Sequence, residues 1–287
     1  MDESDPTKTP PLAYLNKEFL KSPDSRIIRI ISEYLEPAAR LRRHGVRDTI
    51  VFFGSARSVT LEQAGLELER AERSIAEAST PAPELEAARS AAEYAVRLAR
   101  YYQDAVELSQ KLTDWSKGLT GNRHFIICSG GSGGMMEAAN RGASLAHGRT
   151  IGLNIQLPHE QTINPYVSRD LIFNFHYFFM RKFWFVYPAK ALVIFPGGFG
   201  TMDELFEVLT LIQTKMPRKV MPVVLYGSEF WDQVLNLDAL VRWGVLARTE
   251  LDIVYKTDSV DDAFNYLKTR LEELYLTPRG LEDMALT

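Results

Sequence analysis

Cysteine occurs once in the 287 residues, as Cys128. One thiol closes no intramolecular disulfide and builds no zinc cluster, and it fits a reducing compartment. The five histidines, His44, His124, His147, His159 and His176, show no metal-ligand spacing, so no metal is expected. No run of about 18 apolar residues occurs, which argues against a transmembrane helix and a membrane partner. The opening MDESDPTKTPPL is acidic and proline-bearing, without the basic start and apolar core of a signal peptide. It is expected to be mobile, and the expected compartment is the cytoplasm. Positive charge is not in excess: 33 Lys and Arg against 37 Asp and Glu leave a net −4. A nucleic-acid backbone is therefore not the expected ligand, although a local pocket for a small phosphate ester stays open. A Walker A Lys-Ser/Thr pair is absent, so triphosphate chemistry is not indicated. The serines of GSGG and GSAR are not read as nucleophile elbows.

What is present has a rhythm. Residues 13–45 read as helical, with Ile27, Ile28, Ile31, Tyr34 and Leu35 on one broad face and Pro37 expected to break or start a helix. DTIVFFG (48–54) reads as a buried strand. Residues 60–118 are rich in Ala, Leu, Glu and Arg at helical spacing and are split by Pro81 and Pro83, a helical hairpin that serves packing or an oligomer contact. From residue 124, short Val/Ile-rich runs alternate with helical stretches. That alternation predicts an α/β fold: a Rossmann-like doubly wound parallel sheet of about seven strands, with an N-terminal helical segment and a helical insertion after the first strand. The expected division is a tail and helical segment over 1–47 and a nucleotide-binding domain over 48–287 carrying the insertion 60–118. Ligands of such sheets sit beyond the carboxyl ends of the strands, and both glycine clusters fall there.

The first cluster, CSGGSGGMME (128–137), fails the dinucleotide fingerprint. Met136 stands where a third glycine or alanine is needed, and GLNIQLP supplies no ribose-binding acid. The turn then serves either close helix–strand packing or backbone N–H groups facing a nucleotide in another pose. The second, FPGGFGTMDE (195–204), leaves the apolar run AKALVI. Its glycines let a ligand approach the backbone, and the first turn of a following helix offers unpaired donors to a phosphate monoester. Two readings of Glu204 stand side by side. Thr201-x-x-Glu204 has the spacing of a capping box, and Glu204 is also placed for catalysis.

PGGFGTMDE is similar to the PGGxGTxxE signature of the LONELY GUY family of phosphoribohydrolases, many of them labelled lysine decarboxylases. FFMRK, FFGSAR and SGGSGGMMEAAN resemble that family's other blocks, in order, across roughly 48–235. GLNIQLPHEQTINPY and the helical insertion resemble its larger bacterial branch. The resemblance implies hydrolysis of a nucleoside 5′-monophosphate, AMP or a cytokinin riboside 5′-monophosphate, to free base and ribose 5-phosphate, without a cofactor. It implies Arg181 and Glu204 as the catalytic pair and Gly197, Gly198, Gly200 and Thr201 as the phosphate seat. Gly54, Ser55, the turn Gly130, Gly131, Ser132, Gly133 and Gly134, and Lys182 flank the nucleotide. A homodimer or higher homo-oligomer is implied as well. This chain departs from smaller members at Phe179-Met180-Arg181-Lys182, where they resemble HERK.

The chemistry suits these groups. Cleavage of a ribosyl C1′–N bond builds positive charge on the sugar, which a carboxylate stabilises while it orients or deprotonates water. Arg181 would hold phosphate or ribose hydroxyls and brace Glu204. Asp203 and His176 are weak candidates to protonate the leaving base. Tyr177, Phe178, Phe183, Trp184 and Phe185 read as core or interface rather than a stacking platform. Two other classes remain: a non-catalytic nucleotide or molybdenum-cofactor carrier, and an amino-acid decarboxylase, for which no lysine stands in a Schiff-base setting.

Overall fold

The computed structural model describes residues 9–78, 82–119, 124–157, 162–214 and 220–277. Pro81, His159 and the opening eight residues lie outside these. Four helices and one strand come first: α1 Lys17–Lys21, α2 Arg26–Arg43, β1 Asp48–Phe53, α3 Leu61–Glu77 and α4 Pro83–Lys117. Then follow β2 Phe125–Ser129, α5 Met135–Leu145, β3 Thr150–Ile155, β4 Ile172–Phe175, α6 Phe178–Val186, β5 Ala189–Ile194 and α7 Phe199–Gln213. β6 Val223–Tyr226, α8 Ser228–Val234, α9 Leu237–Arg242, β7 Val254–Thr257 and α10 Val260–Tyr275 complete the order.

The seven strands form one parallel sheet in the order β4-β3-β2-β1-β5-β6-β7. The chain steps outward from β1 to β4, then returns to the other side of β1 for β5. The expected doubly wound α/β fold is thus observed, with its reversal between β1 and β5, where ligands of this architecture bind. Side chains alternate across β1 as strand geometry requires. Val51 and Phe53 join a core with Trp184, Leu205, Val208 and Trp231; Ile50 and Phe52 join the opposite core, with Leu108 and Leu112 of α4 and Leu267 and Leu271 of α10. Each such fully buried leucine contributes about 2 kcal/mol. The helical hairpin forms as expected, with α3 opened by a reciprocal Thr60–Gln63 capping box. The second half of α4 is a sheet-covering helix rather than an appendage, burying Tyr102, Ala105, Leu108 and Leu112. No helix among the described residues is long and apolar enough to cross a membrane.

Two expectations for α2 are corrected. Its packed residues include Ile30, Ala38, Leu41 and Tyr34, whose ring meets Phe183 and Trp184 of α6, whereas Ile27, Ile28, Ile31 and Leu35 stay exposed. The helix carries two apolar stripes, and the sheet takes the other one. Pro37 neither breaks nor starts α2 but lies inside it. Proline removes the N–H that would bond the Glu33 carbonyl one turn earlier. That carbonyl receives Trp184 Nε1–H from α6 instead, at 2.9 Å. Trp184→Phe is expected to lower stability by about 1–2 kcal/mol in urea unfolding, because Glu33 O then has no donor. Adding Pro37→Ala should recover part of the loss.

Candidate active site

Pairing of Phe53 with Ile194 places the turns after β1 and β5 side by side. Ser55 joins them to the turn after β2. Its N–H donates to Pro196 O at 2.9 Å, and its own carbonyl accepts from Met135 N at 3.0 Å. Its Oγ accepts from Arg57 N at 3.1 Å.

The glycines divide into two kinds. A Cβ on Gly134, at φ +71°, would meet Ser55 O at 2.3 Å, and one on Gly197 would meet Thr201 Oγ1 at 2.1 Å and Ser55 N at 3.0 Å. Gly54, Gly130 and Gly131 are similarly crowded, by Met135, Met136 and Gly152. Gly54, Gly134 and Gly197 thus permit the three turns to interlock, while Gly130 and Gly131 let the β2 turn fit against Met136 and β3. Gly133, Gly198 and Gly200 would meet nothing within 4 Å, so their missing side chains leave open space above the backbone.

The two helix starts differ as anion seats. At α5 the first amide is already bonded to Ser55 O, and Gly131 N is bonded to Ser129 Oγ. At α7 the N-cap is Gly198 and no side chain caps the first turn, leaving its donors available at the positive end of the helix. The capping-box reading of Thr201 and Glu204 is corrected by the same observation. Phe199 and Gly200 are already helical, so Thr201 is an interior first-turn residue and cannot be the cap.

α6 brings Arg181 and Lys182 against the acidic edge of α7. Arg181 is largely buried, its guanidinium carbon 5.1 Å from the Phe178 ring centre and 5.6 Å from that of Phe185. Burial lowers its pKa, opposed by the charges of Glu204 and Asp203. Lys182 Nζ lies 2.7 Å from Asp203 Oδ2 and 3.0 Å from Glu207 Oε2. Burial disfavours the Lys182 charge, but these two partners outweigh it and raise its pKa.

Glu204 is only 4% exposed. Burial pushes its carboxyl up to about 7, against the pull of Lys182 and Arg181 and with some help from Glu207 and Asp203. Arg181 Nε and Glu204 Oε2 are both buried without a hydrogen-bond partner. Folded proteins seldom leave such groups unpaired, and those left over cluster at sites that bind or react. The expected brace between Arg181 and Glu204 is an electrostatic influence; no ion pair joins them among the described residues.

The remaining sequence candidates sort themselves by contact. Asp203 is committed to Lys182. His176 is exposed beyond the edge strand β4, its amide held by Glu33 and its ring against Tyr177. Gly130-x-Ser132-x-Gly134 does satisfy the elbow spacing, contrary to the sequence reading, yet no histidine bonds Ser132 among the described residues. Tyr177, Trp184 and Phe185 are core, while Phe178 is exposed.

Three residues without an assigned role support the site. Buried Asn140 receives Ser129 Oγ–H and donates to Thr150 Oγ1, and Asn164 bonds both Asn140 Oδ1 and Ser132 O. This network clamps the β2 turn. Asn140 ends the quoted SGGSGGMMEAAN block, but Asn164 arrives from a distant loop with no local signal. Glu207 could have been found from its helical spacing to Asp203 and Glu204.

Comparison with known proteins agrees with the motif resemblance. A family model described as "Possible lysine decarboxylase" matches residues 136–267. A probable cytokinin riboside 5′-monophosphate phosphoribohydrolase of Oryza sativa subsp. japonica is 28% identical over 193 residues, 66% of this chain and 72% of that protein. A second rice cytokinin riboside 5′-monophosphate phosphoribohydrolase is 29% identical over 181 residues, covering 62% and 68%. The pyrimidine/purine nucleotide 5′-monophosphate nucleosidase of Escherichia coli (strain K12) is 29% identical over 175 residues, 57% of this chain but 37% of that longer protein. A molybdenum cofactor carrier protein from Chlamydomonas reinhardtii superposes with a TM-score of 0.42 at 21% identity, over 79% of this chain and all of that one.

Proposed function

We propose, for a chain of the LONELY GUY family, that it hydrolyses the N-glycosidic bond of a nucleoside 5′-monophosphate, AMP or a cytokinin riboside 5′-monophosphate. The products are the free base and ribose 5-phosphate. One observation carries the reading: the buried Glu204 carboxyl, whose Oε2 has no hydrogen-bond partner, and the Arg181 guanidinium lie together beside the uncapped start of α7.

The phosphate sits over Gly198 and Gly200, where the backbone is open and the first-turn amides of α7 are unpaired by side chains. Arg181, held by two rings, adds a rigid cation for phosphate or ribose oxygens. The C1′–N bond breaks with its electron pair on the base. Water delivers hydroxide to C1′, and a proton goes to the base. Ionised Glu204 stabilises the cationic sugar and accepts the proton of the attacking water. A carboxyl titrating at about 7 is half ionised at neutral pH, so kcat/KM should climb as pH rises through that value.

Amino-acid decarboxylation through a Schiff base is not supported. Lys182, the lysine of this crevice, is kept charged by Asp203 and Glu207, whereas imine formation requires the neutral amine. A homodimer or higher homo-oligomer is supported by an aromatic rim of Phe178, Phe179, Phe206 and Phe199, the last 96% exposed. A reducing, cytoplasmic setting is supported by the single, buried thiol of Cys128.

The test is a panel of nucleoside monophosphates, including AMP and isopentenyladenosine 5′-monophosphate, with liberated base separated by chromatography. Adenine and ribose 5-phosphate in equal amounts from AMP are the expected result. Tight AMP retention with no base released would overturn the enzyme reading in favour of a carrier.

A further inference from the structure

Lys182 lies beside Arg181, and its place in the motif made it a candidate nucleotide ligand. Its contacts point elsewhere. The side chain is four-fifths buried, and its ammonium spans Asp203 and Glu207 on the facing helix, at 2.7 and 3.0 Å. Those two acids are one helical turn apart on α7, and Glu204 lies between them in sequence. An ammonium has three donors and no acceptor, so two carboxylates occupy most of its hydrogen-bonding capacity. Little is left for a phosphate. Glu204 itself has a buried oxygen with no partner, and nothing on its own helix holds its charge in check except repulsion from Asp203 and Glu207.

We propose that Lys182 is a positioning residue: it straps Asp203 and Glu207 of α7 to α6, neutralises them, and so holds the Glu204 carboxyl in place and able to ionise. The proposal rests on the reading of Glu204 as the acting carboxylate. The groups facing Glu204 are Arg181 and Lys182 from α6 and Asp203 and Glu207 from α7. With Lys182 removed, two carboxylates face Glu204 against one remaining cation. Its proton is then held more tightly, and less of it is ionised at neutral pH. A phosphate ligand would behave differently, since its loss raises KM, whereas loss of a strap lowers kcat and leaves KM little changed.

The experiment compares wild type, Lys182→Met, Lys182→Arg and Glu204→Gln, each checked for folding by thermal melting. Adenine release from AMP is measured from pH 5 to 9, and the Glu204 side-chain carboxyl is titrated by carbon-13 NMR without substrate. For Lys182→Met we expect a titration midpoint higher by about one unit and kcat at pH 7 lower by roughly fivefold, with KM little changed. Lys182→Arg should restore most of both. A raised KM with kcat little changed overturns the proposal and makes Lys182 a phosphate ligand, and an unmoved midpoint overturns it as well. If instead the midpoint moves while Glu204→Gln still releases adenine at the wild-type rate, the strap stands and the role given to Glu204 fails.

Discussion

Glu204→Gln is expected to abolish base release and, at the same time, to make the protein more stable. On activity, loss of the carboxylate that stabilises the sugar cation and takes a proton from water should cost about a thousandfold in kcat with AMP. On stability the direction follows from protonation. The carboxyl titrates at about 7 in the folded protein, against 4.5 in an unperturbed glutamate. Between those values the native state binds more protons than the unfolded chain, so stability falls as pH rises. The contribution is intact below about pH 4.5 and is fully lost above about pH 7. A gap of this size corresponds to on the order of 3 kcal/mol. Glutamine has the same shape and no charge to desolvate. The variant should therefore unfold at higher urea than wild type at pH 8 and show no such gain at pH 5. Equal midpoints at both pH values would mean that Glu204 is not held in a charge-disfavouring environment.

Two glycine substitutions should separate architecture from binding. Gly134→Ala forces a Cβ into Ser55 O at a left-handed backbone position, with Ala56 backbone atoms 2.6 Å away. Neither neighbour can yield without moving the turn that ties β1 to α5, so a loss of about 3 kcal/mol or more is expected. Gly200→Ala is the opposite case. Gly200 is already helical in the first turn of α7, and its added methyl meets nothing within 4 Å. Alanine is favoured over glycine in a helix by up to about 1 kcal/mol, so this variant should melt at or above the wild-type temperature. Its methyl nevertheless projects into the space assigned to the phosphate, and KM for AMP should rise about tenfold or more. An unchanged KM in a folded Gly200→Ala protein would place the phosphate elsewhere.

Much of the molecule was written locally. Val/Ile-rich runs leading into glycine turns marked the central strands β1, β2, β5 and β6, because a strand covered on both faces must be apolar along its length. Helical spacing marked α3, α4 and α10, and the strand–turn–helix alternation by itself required a parallel doubly wound sheet. FPGGFGTMDE was legible as the loop leaving a buried strand at the carboxyl edge, and the order of the motifs was enough to indicate the family.

Other features depended on what the chain meets in space. Spacing alone could not tell whether Thr201 caps α7 or lies inside it; the close fit of Gly197 against Ser55 and Thr201 accompanies a helix that begins at Phe199. Pro37 looked like a breaker until Trp184, far along the chain, was found serving the carbonyl it leaves open. The motif resemblance offered Lys182 as a nucleotide ligand, and only the fold shows that Asp203 and Glu207 of α7 pair with its ammonium. The proton affinity of Glu204 belongs to the same group. Periodicity records which side of an element is buried, a property of near neighbours along the chain. Ion pairing, desolvation and hydrogen-bond rescue are set by groups that only folding brings within a few ångströms of each other, and no local pattern in these residues encodes them.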